Sequence, residues 1–175
     1  MPSEFILYPN PREITSLPAH EIQPFIFERL TAEADRTPDL EYTMGLGQMA
    51  RMLNVLDVEP PLLRWLDDEP TSGRYDAAGL FLFGYWPGRE PSASLVGKLL
   101  VALEAFAHVL SARDSIIIAI TVAFVNSTSD GLKLRIREKF APLRARREEF
   151  QPSVQEDIDT VLAEDLKHIQ KKPLP

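Results

Sequence analysis

The chain has 175 residues, 45% of them hydrophobic, no cysteine and a formal net charge of −7. That length suffices for one domain with its own core, and the lack of cysteine excludes a thiol nucleophile, a disulfide and any cysteine-held zinc or iron–sulfur centre. The charge is uneven: residues 1–91 carry seven Arg, no Lys and fifteen acids, whereas residues 92–175 carry twelve Lys or Arg and eleven acids, so broad attraction to phosphate backbones is not expected of the first half.

Residues 1–19 contain Pro2, Pro9, Pro11 and Pro18 around the apolar run Phe5-Ile6-Leu7-Tyr8. Proline disfavours helix there, and the apolar run predicts an extended arm packed on the domain or on a partner. Met1 to Phe5 lack the basic and apolar segments of a secretory leader, so the protein is expected inside the cell, in the cytoplasm or nucleus. A single helical domain is predicted over residues 20–172.

Ile22, Phe25, Ile26 and Leu30 give the first helical stripe, with Pro24 tolerable in the first turn. Thr37-Pro38-Asp39 reads as a helix start, and Tyr42, Leu46, Met49, Leu53 and Leu56 follow at helical spacing. Glu59-Pro60-Pro61 opens a short helix that carries Leu62, Trp65 and Leu66 and ends near Asp67 to Pro70. Within Tyr75 to Trp86 the apolar run Leu80-Phe81-Leu82-Phe83 suits a buried strand or a short helix, and Gly79 and Gly84 weaken both.

The most apolar stretch is Leu95 to Val125. Leu95, Leu99, Ala102, Leu103, Phe106 and Leu110 form one helical stripe within 91–111, while residues 116–125 are apolar on every face. Ser111 to Ser115 separates the two halves, so neither reaches the roughly 20 apolar residues of a membrane span. Leu132 to Phe140 fits either a second strand after residues 116–125 or a helix, and the helical surroundings favour helix, ending near Phe140 before Pro142. Ser153-Val154-Gln155-Glu156 is a capping box for a last helix, whose stripe runs from Val154 to Ile169 and which Pro173 stops.

Signals for chemistry are weaker. Gly45-Leu46-Gly47 falls inside a predicted helix rather than between a strand and a helix, so it predicts close backbone approach, not dinucleotide binding. Of the three histidines, His20, His108 and His168, only His108 has a suggestive neighbour. Glu104 lies four residues before it on the predicted helix, a spacing compatible with a general-base or metal site or with an exposed pair. The acids Asp67-Asp68-Glu69, Glu148-Glu149 and Asp157/Asp159 sit at helix ends or on polar faces, where solvated acids are ordinary.

Two surfaces are candidates for binding. Phe5, Leu7 and Tyr8 of the arm and Tyr85, Trp86 and Arg89 of a predicted loop are of the residue types that anchor interfaces, although Trp86 fits equally well as a cap on the core. Lys133, Arg135, Arg137, Lys139, Arg144, Arg146 and Arg147 form a basic segment that meets nucleic acid, an acidic partner or the protein's own acids. The sequence therefore predicts an all-α domain, a compact bundle or helical array of six to eight helices with an extended proline-rich arm. The expected function is non-catalytic protein–protein interaction, as an adaptor, subunit or regulator. The alternatives are a nucleic-acid-associated module using residues 133–147 and a small hydrolase or metal-dependent enzyme using Glu104 and His108. No motif calls for a cofactor.

Overall fold

A computed structural model describes Ile14 and residues 16–53 and 57–163, and all regular structure among them is helical. Eight α-helices follow one another: α1 Ala19–Ala34, α2 Leu40–Met52, α3 Glu59–Asp68, α4 Ser72–Tyr85, α5 Ala93–Ala105, α6 Leu110–Asn126, α7 Asp130–Phe140 and α8 Pro152–Ala163, with a 3₁₀ segment, Ala141–Glu149, between the last two. No described helix is long and apolar enough to cross a membrane. Phe5, Leu7 and Tyr8 lie outside the described residues, as does the predicted continuation of the last helix beyond 163. Ile14, just past the arm's apolar run, is fully buried.

Local chemistry sets the boundaries. Asp39, Thr71, Ser92 and Ser129 each accept, through the side chain, the backbone N–H three residues on: Tyr42 at 2.7 Å, Arg74 at 3.3 Å, Leu95 at 3.2 Å and Leu132 at 3.2 Å. Each capped amide would otherwise be an unpaired donor of the first turn. The cap on α2 is thus Asp39, two residues later than the predicted Thr37. The last helix likewise begins at Pro152, which places Ser153 inside the first turn and not at the capping position.

Helix α4 is the centre of the fold. Ten of its fourteen residues are buried, and it packs against α1, α2 and α6. Its glycines make this possible. A Cβ on Gly84 would lie 2.1 Å from the Met44 carbonyl oxygen, and one on Gly47 of α2 would lie 1.9 Å from the Phe81 oxygen, so the two helices cross backbone against backbone. Gly79 meets Ser115 of α6 in the same way, at 2.6 Å from its oxygen. Gly79 and Gly84, which weaken a helix as much as a strand on local grounds, are the residues that let this helix sit in the middle of three others.

The apolar stretch 95–125 divides earlier than predicted. Helix α5 ends at Ala105, Phe106 leaves helical geometry with φ −108° and ψ 22°, and α6 starts at Leu110. Phe106 tilts onto Tyr75, with ring centroids 5.4 Å apart, so an aromatic contact with α4 replaces the expected continuation to Ser111. Residues 116–125 are helical but not buried all round: Ile118 and Val122 are partly covered and Val125 is exposed. Residues 132–140 are helical too, which removes the hairpin. Pro142 marks the change from α7 to the 3₁₀ segment, as its missing donor and fixed φ require.

Asp157, partly buried on α8, gives the fold a pH dependence. Burial, reinforced by the neighbouring Glu156, pushes its carboxyl up to about 6 from 3.8. The fold therefore favours the protonated form, and its contribution is complete below the unfolded value and fades as pH rises through about 6. Asp157→Asn should raise the melting temperature at about pH 7.5 and lose that advantage near pH 3.5, as measured by thermal denaturation at both.

Candidate functional site

The loop after α4 was the expected anchor surface, and its aromatic residues point inward. Tyr85 and Trp86 are both 0% exposed. The Trp86 indole Nε1–H donates to Glu59 Oε1 at 2.9 Å, and the other Glu59 oxygen accepts the Ser92 backbone N–H at 2.9 Å. Burial pushes the Tyr85 phenol up in pKa, opposed by Arg89, whose guanidinium sits 4.6 Å over the ring. Glu90 accepts from the Ser127 hydroxyl and the Thr128 N–H, each at 2.7 Å, and these hold its carboxyl below its usual range. Gly88, at φ 75°, donates its N–H to Asn126 Oδ1 at 2.7 Å. Tyr85, the last residue of α4, and Trp86, its C-cap, are therefore core residues, and the loop that follows them is latched onto α3 and the α6–α7 turn. Two aromatic residues beside Pro-Gly suit a loop tip and a core cap alike, and only the buried partner Glu59 distinguishes them.

The basic segment does not form one face. Arg137 is buried, with Nε–H donating to the Val161 carbonyl at 2.8 Å and Nη2 to Leu162 at 3.1 Å, so it ties α7 to α8. Lys133 lies 5.3 Å over the Phe124 ring. Arg135 reaches Gly97 of α5, and Lys139 donates to Glu104 at 2.6 Å. Arg146 makes two hydrogen bonds to Glu149, at 3.0 and 2.7 Å. Arg147 grips Asp159, with its closest contact at 2.7 Å, and Arg144 adds to the field that lowers the Asp159 carboxyl. A helix turns successive residues by about 100°, so a run of basic residues spreads over several neighbours.

The Glu104–His108 pair is not built. Its premise was a continuous helix, but α5 stops at Ala105, and Glu104 pairs with Lys139 instead. Asp67 pairs with Lys98, Glu69 with Arg74 at 2.9 Å and Glu149 with Arg146. No group of three potential metal ligands occurs among the described residues.

What the fold does assemble lies along α5. At the N-terminal end, Leu63, Tyr75, Gly97, Lys98, Val101 and Arg135 line an open groove of about 420 Å³, and Val101 is 67% exposed in it. At the C-terminal end a more enclosed cavity of about 220 Å³ is lined by Leu100, Leu103, Leu143 and Phe150, with Arg113, Lys139 and Arg146 among its walls. The Glu104–Lys139 ion pair joins α5 to α7 beside this cavity. The Arg113 side chain is only 6% exposed; its Nε–H donates to Asp114 at 3.0 Å and its guanidinium lies 4.2 Å from the Phe150 ring centroid. Sequence reasoning missed Arg113 because an arginine in a short polar separator reads as solvated, and its partner Phe150 is remote in the chain. No family model, curated protein or solved structure matches this chain.

Proposed function

We propose that the chain is a non-catalytic protein-interaction domain, an adaptor or subunit inside the cell, that takes an acidic partner segment along α5. The observation that carries this reading is Val101, a β-branched apolar side chain 67% exposed in a groove walled by the cations Lys98 and Arg135. An apolar centre with a polar, charged rim is the usual anatomy of a protein interface. Charges of this kind raise the association rate and select the partner more than they add affinity. The basic residues of 133–147 turn to different neighbours, which supports this reading over a nucleic-acid track, since a track needs several cations aligned along one backbone.

A photo-crosslinking residue placed at Val101, compared in cells with one at Met52, which is at least as exposed, tests it. The expected result is a discrete protein adduct at position 101 alone, lost when Lys98 and Arg135 are both changed to Glu. An adduct that nuclease treatment removes, or the same adducts from both positions, would overturn it.

A further inference from the structure

The enclosed cavity at the C-terminal end of α5 is separate from the Val101 groove and has its own chemistry. Its floor is Leu100, Leu103, Leu143 and Phe150. Into this apolar space the fold places Arg113, an almost fully buried cation. A guanidinium carries five N–H donors in a planar fork. Here Nε–H is used by Asp114 and one face lies on Phe150, while Nη1 and Nη2 make no hydrogen bond to the described residues. The terminal nitrogens are not stranded donors, since the Tyr85 hydroxyl is the one buried side-chain polar atom without a partner among the described residues; they face accessible space, and the end-on edge of this fork is open to an acceptor that enters the cavity. At the mouth, Lys139 and Arg146 are about half exposed and already held by Glu104 and Glu149.

We infer that this cavity binds a small apolar carboxylate, whose two oxygens pair with the terminal nitrogens of Arg113 while its hydrocarbon part lies on Leu100, Leu103 and Leu143. The bidentate match of carboxylate to guanidinium is the strongest neutralisation available to that edge. Apolar lining with a few charged groups, here Arg113 together with Lys139, Arg146 and Glu104, is the common form of a small-molecule site. The volume, about 220 Å³, holds roughly seven water-sized groups at ~30 Å³ each, which is the scale of hexanoate or benzoate. A phosphate dianion fits less well, because most of the lining is apolar and offers its further oxygens no donor.

Methyl-resolved NMR titration with hexanoate, and in parallel with neutral hexanol, tests the assignment. Hexanoate should shift the methyl resonances of Leu100, Leu103 and Leu143 saturably, and hexanol should bind at least about tenfold more weakly, because it cannot use the Arg113 fork. Arg113→Gln should remove that preference for the acid and leave hexanol binding unchanged. Leu143→Trp, which fills the cavity without touching Arg113, should abolish both and remains informative if Arg113→Gln does not fold. Equal binding of acid and alcohol, an undiminished response in Leu143→Trp, or no saturable shift at these three leucines would each overturn the inference.

Discussion

Gly47→Ala should destabilise the domain by about 3 kcal/mol or more, against a total stability of roughly 5–15 kcal/mol for a typical domain. In an isolated helix the same change gains close to 1 kcal/mol, because alanine is the better helix former. The sign reverses here because the new Cβ would sit 1.9 Å from the Phe81 carbonyl oxygen and 3.0 Å from the Tyr85 nitrogen, both backbone atoms of α4. No rotamer change relieves that contact, so α2 and α4 must separate along the whole crossing, and Leu46 and Ala50 lose their packing with them. Gly97→Ala is the control. The three atoms nearest its Cβ would all belong to the guanidinium of Arg135, at 3.0 Å or more, which can move, so the helix-propensity gain should survive and stability should hold or rise. Chemical denaturation of both variants measures the difference, and equal midpoints would refute a backbone-to-backbone crossing.

The contrast between these two glycines explains how much of the fold was legible. Wherever one helix faced one neighbour, spacing sufficed to find the element if not its first residue: the stripe Leu46 and Met49 of α2 and the stop before Pro142 needed only local rules, while the cap fell on Asp39 and not on Thr37. Helix α4 was ambiguous because it is enclosed by α1, α2 and α6 and so has no polar face to give it a period. Its glycines lower local helix propensity while serving contacts that exist only after folding. The break after Ala105 was hidden for a related reason. The apolar stripe runs through it, and what ends α5 is the turn of Phe106 onto Tyr75, a residue of another helix.

The candidate sites were less legible than the elements, since a charged residue's role depends on what faces it. Glu33, Glu59 and Glu90 look in sequence like ordinary surface acids. In the fold, Glu33 accepts the Asp39 backbone N–H at 2.7 Å and pairs with Arg36, joining α1 to the start of α2, while Glu59 and Glu90 latch the loop after α4. Arg113 and Arg137, equally ordinary in sequence, are buried and have unrelated partners, a phenyl ring with a cavity in one case and the carbonyls of α8 in the other. Periodicity reports which face of a helix is apolar. It carries no information about which cation on that helix will be covered.

Trp86→Ala should cost about 3–5 kcal/mol, the range for deleting a large buried aromatic side chain, and lower the melting temperature by on the order of 10 °C in a chain of this size. Two effects add. The indole is 0% exposed, so its removal leaves a cavity between α4 and the start of α3. It also strips Glu59 Oε1 of the 2.9 Å hydrogen bond from Nε1–H, leaving a carboxylate that is itself 6% exposed with one oxygen unpaired. Leaving a buried polar group without its partner costs more than the hydrogen bond contributed. Trp86→Phe separates the two, since it keeps most of the apolar volume and loses only the donor. Glu59→Gln in the Trp86→Phe background should then recover part of the loss, because a neutral amide is cheaper to leave unpaired than a carboxylate. Of the two sequence readings of Trp86, an interface anchor or a cap on the core, its full burial favours the cap and hence an effect on stability. Thermal melts of the three variants decide it, and an unchanged melting temperature in Trp86→Ala would return the indole to the surface.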